Sequence, residues 1–252
     1  MNQRLVTRFE SDTPEYTRAF QTFLAHTDQK EQALGWLERT IGSLDHRRVA
    51  IDAGAGTGKL TAWLADRFER VIGIEPNLSL CETFAATCPE ISLFPETILS
   101  AEPKVQADFV LCSHVLYYIP HDEWFDNLRK MVSWLHPGGM LVIAIQNSET
   151  DCMFMIDHFV GERLSLHSLA EKAKAELSDA CRVELETVSA HVKAEHLQTA
   201  CEIAEFMLNV RPLVDPPSWR ALEDYVENNF KLSGGDYKFS CHQDFMKVTR
   251  IC

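Results

Sequence analysis

The sequence predicts an α/β fold built around a doubly wound, mainly parallel sheet. Three observations carry that prediction. From residue 48 onward, short apolar runs alternate with helix-length segments. A glycine-rich loop, Gly54-Ala55-Gly56-Thr57-Gly58, sits at the first strand-to-helix turn. A carboxylate, Glu75, stands 23 residues beyond Asp52, at the end of the second predicted strand.

Residues 13–42 are helical in period. Tyr16, Phe20, Phe23 and Leu24 share one face, and Leu34, Leu37 and Ile41 continue on a later stretch. Thr13-Pro14-Glu15 makes a helix start, because Thr caps a free amide and Pro loses no bond at the first helical position. The next elements predicted are a strand at Arg48–Ala53, a helix at Thr57–Phe68, a strand at Arg70–Ile74 and a helix at Ser79–Thr87. Strands at Ile91–Phe94 and Phe109–Ser113 follow, then a helix at His121–Leu135 and a strand at Met140–Ile145. Short apolar strands of this kind are covered on both faces, and right-handed crossovers place the helices there. In Leu135-His136-Pro137-Gly138-Gly139, Pro and paired Gly predict a tight turn between the helix and the strand.

The pattern loosens after residue 150. Helices are expected over 162–178, Glu195–Val210 and 218–230, with Val183–Val192 extended and a last strand at Phe239–Ile251. Arg211-Pro212 and Pro216-Pro217 break the chain. These late helices are expected to cap the sheet edge rather than form an independent domain.

Composition excludes several classes. The chain has 252 residues, 46% of them hydrophobic, which is enough for a sizeable core. It carries 24 Lys+Arg against 37 Asp+Glu, a net charge of −13. No basic stripe exists, so neither nucleic acid nor an anionic membrane is an expected partner. A cationic or neutral small substrate is favoured. The longest apolar run, Met140–Ile145, is too short to span a bilayer, and the N-terminal residues lack an apolar signal core. The 8 Cys show no CxxC spacing and predict reduced, cytoplasmic thiols. No His/Cys/carboxylate grouping has metal-ligand spacing, so no metal is expected.

The glycine loop discriminates among ligands. A P-loop fails here because Ala53 takes its first Gly position and Leu60 its hydroxyl position. A dinucleotide fingerprint fails because Lys59 stands where the third Gly belongs. Asp52 to Gly58 instead reads as an acidic residue followed by three alternating glycines. That pattern lets backbone approach a compact zwitterion, with Asp52 beside its ammonium group. Glu75 is placed to accept hydrogen bonds from ribose hydroxyls.

These motifs, in this order over about residues 48–146, resemble the class I S-adenosylmethionine-dependent methyltransferases. The resemblance implies a Rossmann-like, seven-stranded sheet with a reversed last strand, a helical substrate cap and S-adenosylmethionine as cofactor. It assigns Asp52, Gly54, Gly56 and Gly58 to the methionine end and Glu75 to the ribose. Glu96, Thr97 and Ile98 would flank the adenine, and Ser113 would lie near the sulfonium. It implies a single domain, 1–252, with an N-terminal helical lid (1–47), a cofactor-binding core (48–146), and cap helices plus the last antiparallel strands (147–252).

Outside the core, the segments Tyr16–His26, Val115–Ile119, Pro216–Leu222 and Phe239–Ile251 are similar to the histamine N-methyltransferases. That resemblance implies an aromatic wall of Tyr16, Phe20, Tyr117 and Tyr118 around a small amine or imidazole. Three polar positions depart from that family's pattern. Gln29, next to Asp28, replaces its ammonium-binding Glu. His114 replaces a Gln, and Cys241 replaces an Asn. Asp28, Gln29, His114, Tyr117, Tyr118 and Cys241 are therefore expected to contact substrate. His114 and Tyr117 are the catalytic candidates, His114 because an imidazole titrates near neutral pH. The expected activity is methyl transfer to a nitrogen of a small molecule by a monomeric enzyme. The alternatives are an O-methyltransferase of natural products and a non-catalytic sensor or partner-binding module on the same fold.

Overall fold

A computed structural model describes residues 4–9, 13–161, 163–210 and 213–251. The predicted break at Arg211-Pro212, residue Glu162 of the predicted 162–178 helix, and Cys252 lie outside the described residues. In chain order the elements are α1 (Pro14–His26), α2 (Gln29–Gly42), β1 (Val49–Ala53), α3 (Lys59–Ala65), β2 (Arg70–Ile74), α4 (Leu78–Thr87), β3 (Ser92–Phe94), β4 (Ala107–Ser113), α5 (Trp124–Ser133) and β5 (Leu135–Gln146). There follow α6 (Asp151–Val160), α7 (His167–Glu176), β6 (Cys181–Val188), β7 (His191–Ala194), α8 (Leu197–Leu208), α9 (Trp219–Asn229), β8 (Tyr237–Ser240) and β9 (Gln243–Arg250).

The chain divides into two compact units. One comprises Leu37–Ile145, Leu166–Glu186 and Asp244–Cys252, and the other Met1–Trp36, Gln146–Ser165 and Thr187–Gln243.

The first of these is built on a seven-stranded, mainly parallel sheet in the order β3-β2-β1-β4-β5-β9-β6. β1 lies between β2 and β4, with Asp52 opposite Gly73 on one side and Leu111 on the other. Ala50, Ile51, Phe109, Val110, Leu111, Leu141, Val142 and Ile143 have no solvent exposure, as strands covered on both faces require. Each such large side chain contributes about 1.5–3 kcal/mol by leaving water. The chain steps outward from β1 to β3, then returns to β4. The switch point therefore falls between β1 and β4, where open α/β sheets bind ligands beyond the strand ends.

Several boundaries differ from the sequence reading, each for a local reason. α3 starts at Lys59 because Gly58 has φ +84°, outside the helical region. The predicted His121–Leu135 helix opens with a short 3-10 turn at His121–Glu123, and Leu135 is already in β5, opposite Ala107. Residues 136–139 loop out of the β4–β5 ladder before pairing resumes at Phe109 and Met140. The turn residues Pro137, Gly138 and Gly139 are thus an irregularity inside one strand.

The second unit packs α1, α6, α8 and α9 with a two-stranded antiparallel ribbon of β7 and β8, in register from His191↔Ser240 to Ala194↔Tyr237. Thr13 caps α1 as predicted, accepting from the Tyr16 amide. The helical region read over 13–42 is two helices divided at Thr27-Asp28, where both side chains bond to the backbone of His191. α6 was not anticipated. Its residues Cys152, Met153, Met155 and Ile156 are buried on more than one face, so no 3.6-residue stripe shows. Its ends were legible: Thr150 caps the Met153 amide, and Gly161 closes the helix at φ +76°. The two long extended segments each split. Val183–Val192 becomes β6 and β7, and Phe239–Ile251 becomes β8 and β9, in two different sheets.

Cysteines 81, 88, 112, 152, 181, 201 and 241 carry free thiols. Among the described residues no helix is long and apolar enough to cross a membrane, and no cluster of metal-binding side chains occurs.

Candidate cofactor site

The glycine loop leaves β1 at its buried end. Gly54 and Ala55 donate to the Ile74 carbonyl at 2.8 and 2.9 Å, tying the loop to the end of β2. Gly54, Gly56 and Gly58 have φ of +93°, +53° and +84°. A Cβ on Gly54 would lie 2.1 Å from Val115 Cγ2, so the loop after β4 presses directly on this glycine. A Cβ on Gly56 would meet no atom within 4 Å. At Gly56 the loop therefore presents bare backbone to open space at the switch point.

Two carboxylates line this cradle. Glu75 is almost buried, accepting from the Gly56 amide at Oε2 (2.9 Å) and the Asn77 amide at Oε1 (2.9 Å). Its orientation is thus set by the loop and by the start of α4. Asp52, also buried, accepts from the Thr61 hydroxyl at 2.6 Å. Burial pushes the Asp52 carboxyl up to about 7. The Thr61 bond opposes that shift, and the nearby Glu75 charge adds to it.

Ser113 and His114 end β4, with the His114 amide bonded to the Ala144 carbonyl. His114 has φ +58°, a left-handed conformation uncommon outside glycine. Its Nδ1 lies 3.2 Å from the Tyr117 hydroxyl. Burial lowers its pKa to about 4, so the ring is neutral at physiological pH and a weak base. Tyr117 is buried and Tyr118 is 69% exposed. Beyond β3, Glu96 and Thr97 are exposed and Ile98 is buried, with Thr97 bonded to Ser100 in a tight turn.

The remaining candidates belong to the other unit. Tyr16 and Phe20 stack near Phe206 of α8, at centroid distances of 5.6 Å each. Asp28 accepts from the His191 amide. Gln29 is buried and donates to Gln146 Oε1 (2.9 Å) and the Cys241 carbonyl (2.7 Å). Cys241 Sγ lies 3.4 Å from the Thr27 hydroxyl. These polar groups thus serve as cross-links within their own unit. The structure brings Asp52, Glu75 and the glycine loop together and pairs His114 with Tyr117.

Sequence reasoning missed Thr61, Phe84, Cys88 and Val115. Phe84 and Cys88 lie directly behind Gly58, and the Cys88 thiol donates to its carbonyl. The available signal for Thr61 was a polar side chain on the inner face of a short apolar helix.

The model of the "Methyltransferase domain" family matches residues 24–222. The chain belongs to that family. Its cofactor is S-adenosylmethionine, and the cradle fits it. Bare backbone at Gly56 faces open space beside two buried carboxylates, Asp52 and Glu75. Among sequence relatives, the trans-aconitate 2-methyltransferase of Azoarcus sp. is 24% identical over 127 residues, covering 50% of this chain and 49% of the relative. The ubiquinone biosynthesis O-methyltransferase of Leptothrix cholodnii is 28% identical over 121 residues, covering 45% and 50%. The chain spans about half the length of these curated relatives. Among solved structures, the YcgJ protein of Bacillus subtilis superposes with a TM-score of 0.60 at 12% identity, covering 84% of this chain and 96% of that one. That likeness is one of fold.

Proposed function

We propose that the chain transfers the methyl group of S-adenosylmethionine to a nitrogen of a small amine or imidazole-type molecule. One observation carries this reading. Next to the ends of β1 to β4 the loops carry Glu75, Glu96, Asp122 and Glu123 and no Lys or Arg. That edge of the sheet favours a cationic or neutral acceptor over an anionic one.

In this reading Glu75 accepts the ribose hydroxyls, and Glu96, Thr97 and Ile98 flank the adenine. Gly54, Gly56 and Gly58 admit the methionine end, Asp52 faces its ammonium, and Ser113 lies near its sulfur. When bound, the cofactor supplies a methyl carbon activated by its sulfonium. The residues mainly align and desolvate, and alignment alone supplies about 7–11 kcal/mol in well-oriented reactions. Tyr117 and Tyr118 are assigned to the acceptor's aromatic wall. Residues 1–47 serve as lid, 48–146 as core and 147–252 as cap helices plus the last strands of the sheet, in a cytoplasmic monomer.

His114 is assigned the role of orienting hydrogen-bonder, because a ring titrating near 4 is a poor proton acceptor at neutral pH. At saturating cofactor, His114→Gln is expected to lower kcat about tenfold, the worth of one hydrogen bond. It should leave the pH–rate profile from about pH 6 to about pH 8 unchanged. A loss of about 100-fold or more, with disappearance of an ionisation, would instead mark it as the general base.

A second reading is transfer to oxygen, favoured by relatives named for trans-aconitate and for O-methylation in ubiquinone biosynthesis. Incubation with methyl-labelled cofactor and a panel of amines, imidazoles, phenols and carboxylic acids separates the two. Label on nitrogen acceptors is the expected result, and label confined to phenols or carboxylates overturns it. The absence of any calorimetric S-adenosylmethionine binding would point to a non-catalytic module.

A further inference from the structure

We infer that Thr61 is a positioning residue for cofactor binding. Its hydroxyl holds the Asp52 carboxylate in one orientation and thereby prepares it for the ammonium of the cofactor's methionine end. The inference rests on the assignment of Asp52 to that ammonium.

The geometry comes from the strand-to-helix turn. Asp52 is the fourth residue of β1 and points away from water, with its residue 2% exposed. The chain then turns through the glycine loop, and α3 brings Thr61 back over the strand it has just left. Thr61 is fully buried, and its Oγ1 donates to Asp52 Oδ2 at 2.6 Å. A short hydrogen bond to one carboxylate oxygen fixes the side-chain torsion and so sets where the other oxygen faces.

The surroundings make this bond matter. The groups facing Asp52 are Glu75 from the end of β2, the Cys112 thiol of β4, the Cys88 thiol behind the loop, and Thr61 itself. Burial raises both thiols above their ordinary range, so they remain uncharged near neutral pH. Glu75 opposes a second negative charge. Thr61 is therefore the neighbour that favours ionised Asp52 in the cofactor-free protein, where burial has already moved the carboxyl to about 7. A cationic ligand group favours the ionised form further. Binding should then release a proton at about pH 7 and below, and affinity should rise with pH until Asp52 is fully ionised.

The test is calorimetric binding of S-adenosylmethionine and of S-adenosylhomocysteine, repeated across pH and in buffers of different ionisation enthalpy. Wild type should bind more tightly as pH rises through about 7 and then level off. Thr61→Val, nearly isosteric but without the hydroxyl, should bind about tenfold more weakly at neutral pH. Its midpoint should move upward by about one pH unit. Thr61→Ser should restore both. In an Asp52→Asn background, Thr61→Val should add nothing. The inference is overturned by wild-type affinity and midpoint in Thr61→Val, or by an equal loss in the Asp52→Asn background. Wild-type binding by Asp52→Asn alone overturns the parent assignment instead, so the two failures are distinguishable. Should Thr61→Val not fold, ¹³C NMR titration of the Asp52 carboxyl decides. Its midpoint should move upward in Thr61→Ala, and an unchanged midpoint refutes the role.

Discussion

Gly56→Leu is expected to abolish S-adenosylmethionine binding while leaving the chain folded. The reason lies in what surrounds this residue. Its φ of +53° is a left-handed conformation that a side chain adopts at a cost of about 1–2 kcal/mol. A Cβ there touches nothing within 4 Å, so the protein has room for it. Its amide still donates to Glu75. The added side chain occupies the space assigned to the cofactor. Calorimetry should show Kd raised by about 100-fold or more, equivalent to about 2.7 kcal/mol. A thermal melt should remain cooperative, at a Tm only a few degrees below wild type. Gly54→Ala provides the contrast. It drives a methyl to 2.1 Å from Val115, so it should damage folding as well as binding. Unchanged affinity in Gly56→Leu would remove the cofactor from this loop.

Asp108→Ala is expected to produce the largest loss of stability. Asp108 is buried and accepts from the amides of Arg48 (2.9 Å) and Val49 (2.8 Å) at Oδ2. At Oδ1 it meets the Arg48 guanidinium (3.3 Å) and His136 Nε2 (2.7 Å). It thus ties the start of β1 to β4 and to the irregular stretch of β5. Removing it strands two backbone donors and takes the shared acceptor from His136 and from the half-exposed Arg48 guanidinium, a loss of about 2–4 kcal/mol. Burial works against the charged form, but the bonds from Val49, His136 and Arg48 outweigh it and hold the carboxyl below its ordinary value. The folded pKa is therefore lower than the unfolded one. The contribution is present above the unfolded value of about 3.9 and is lost as pH falls through the folded value. Urea unfolding at neutral pH should show the full loss. At about pH 3 the gap between wild type and Asp108→Ala should narrow. An unchanged gap would place the stabilisation elsewhere.

Much of the core was legible because each step is local. Arg70–Ile74 is strand for the same residues in sequence and structure, since a bounded apolar run between two helices has one place to go. The glycine loop and Glu75 were recognisable because backbone conformation and carboxylate chemistry reside in single residues. α6 was missed because burial on several faces erases periodicity. The Phe239–Ile251 segment was read as one strand because its apolar alternation continues across Cys241-His242, and alternation does not name a partner. β8 pairs with β7, whereas β9 joins the large sheet.

The sequence by itself determined the α/β class, the order of the core elements, and the glycine loop with its two carboxylates. These follow from periodicity, turn chemistry and short spacings along the chain. Only the tertiary structure decided that Val115 closes on Gly54, that Thr61 holds Asp52, that His114 is a neutral ring, and that Gln29 is a buried cross-link. Each of those depends on burial and on partners distant in sequence or brought back by a turn. Desolvation and hydrogen bonding change what a side chain does without changing its name.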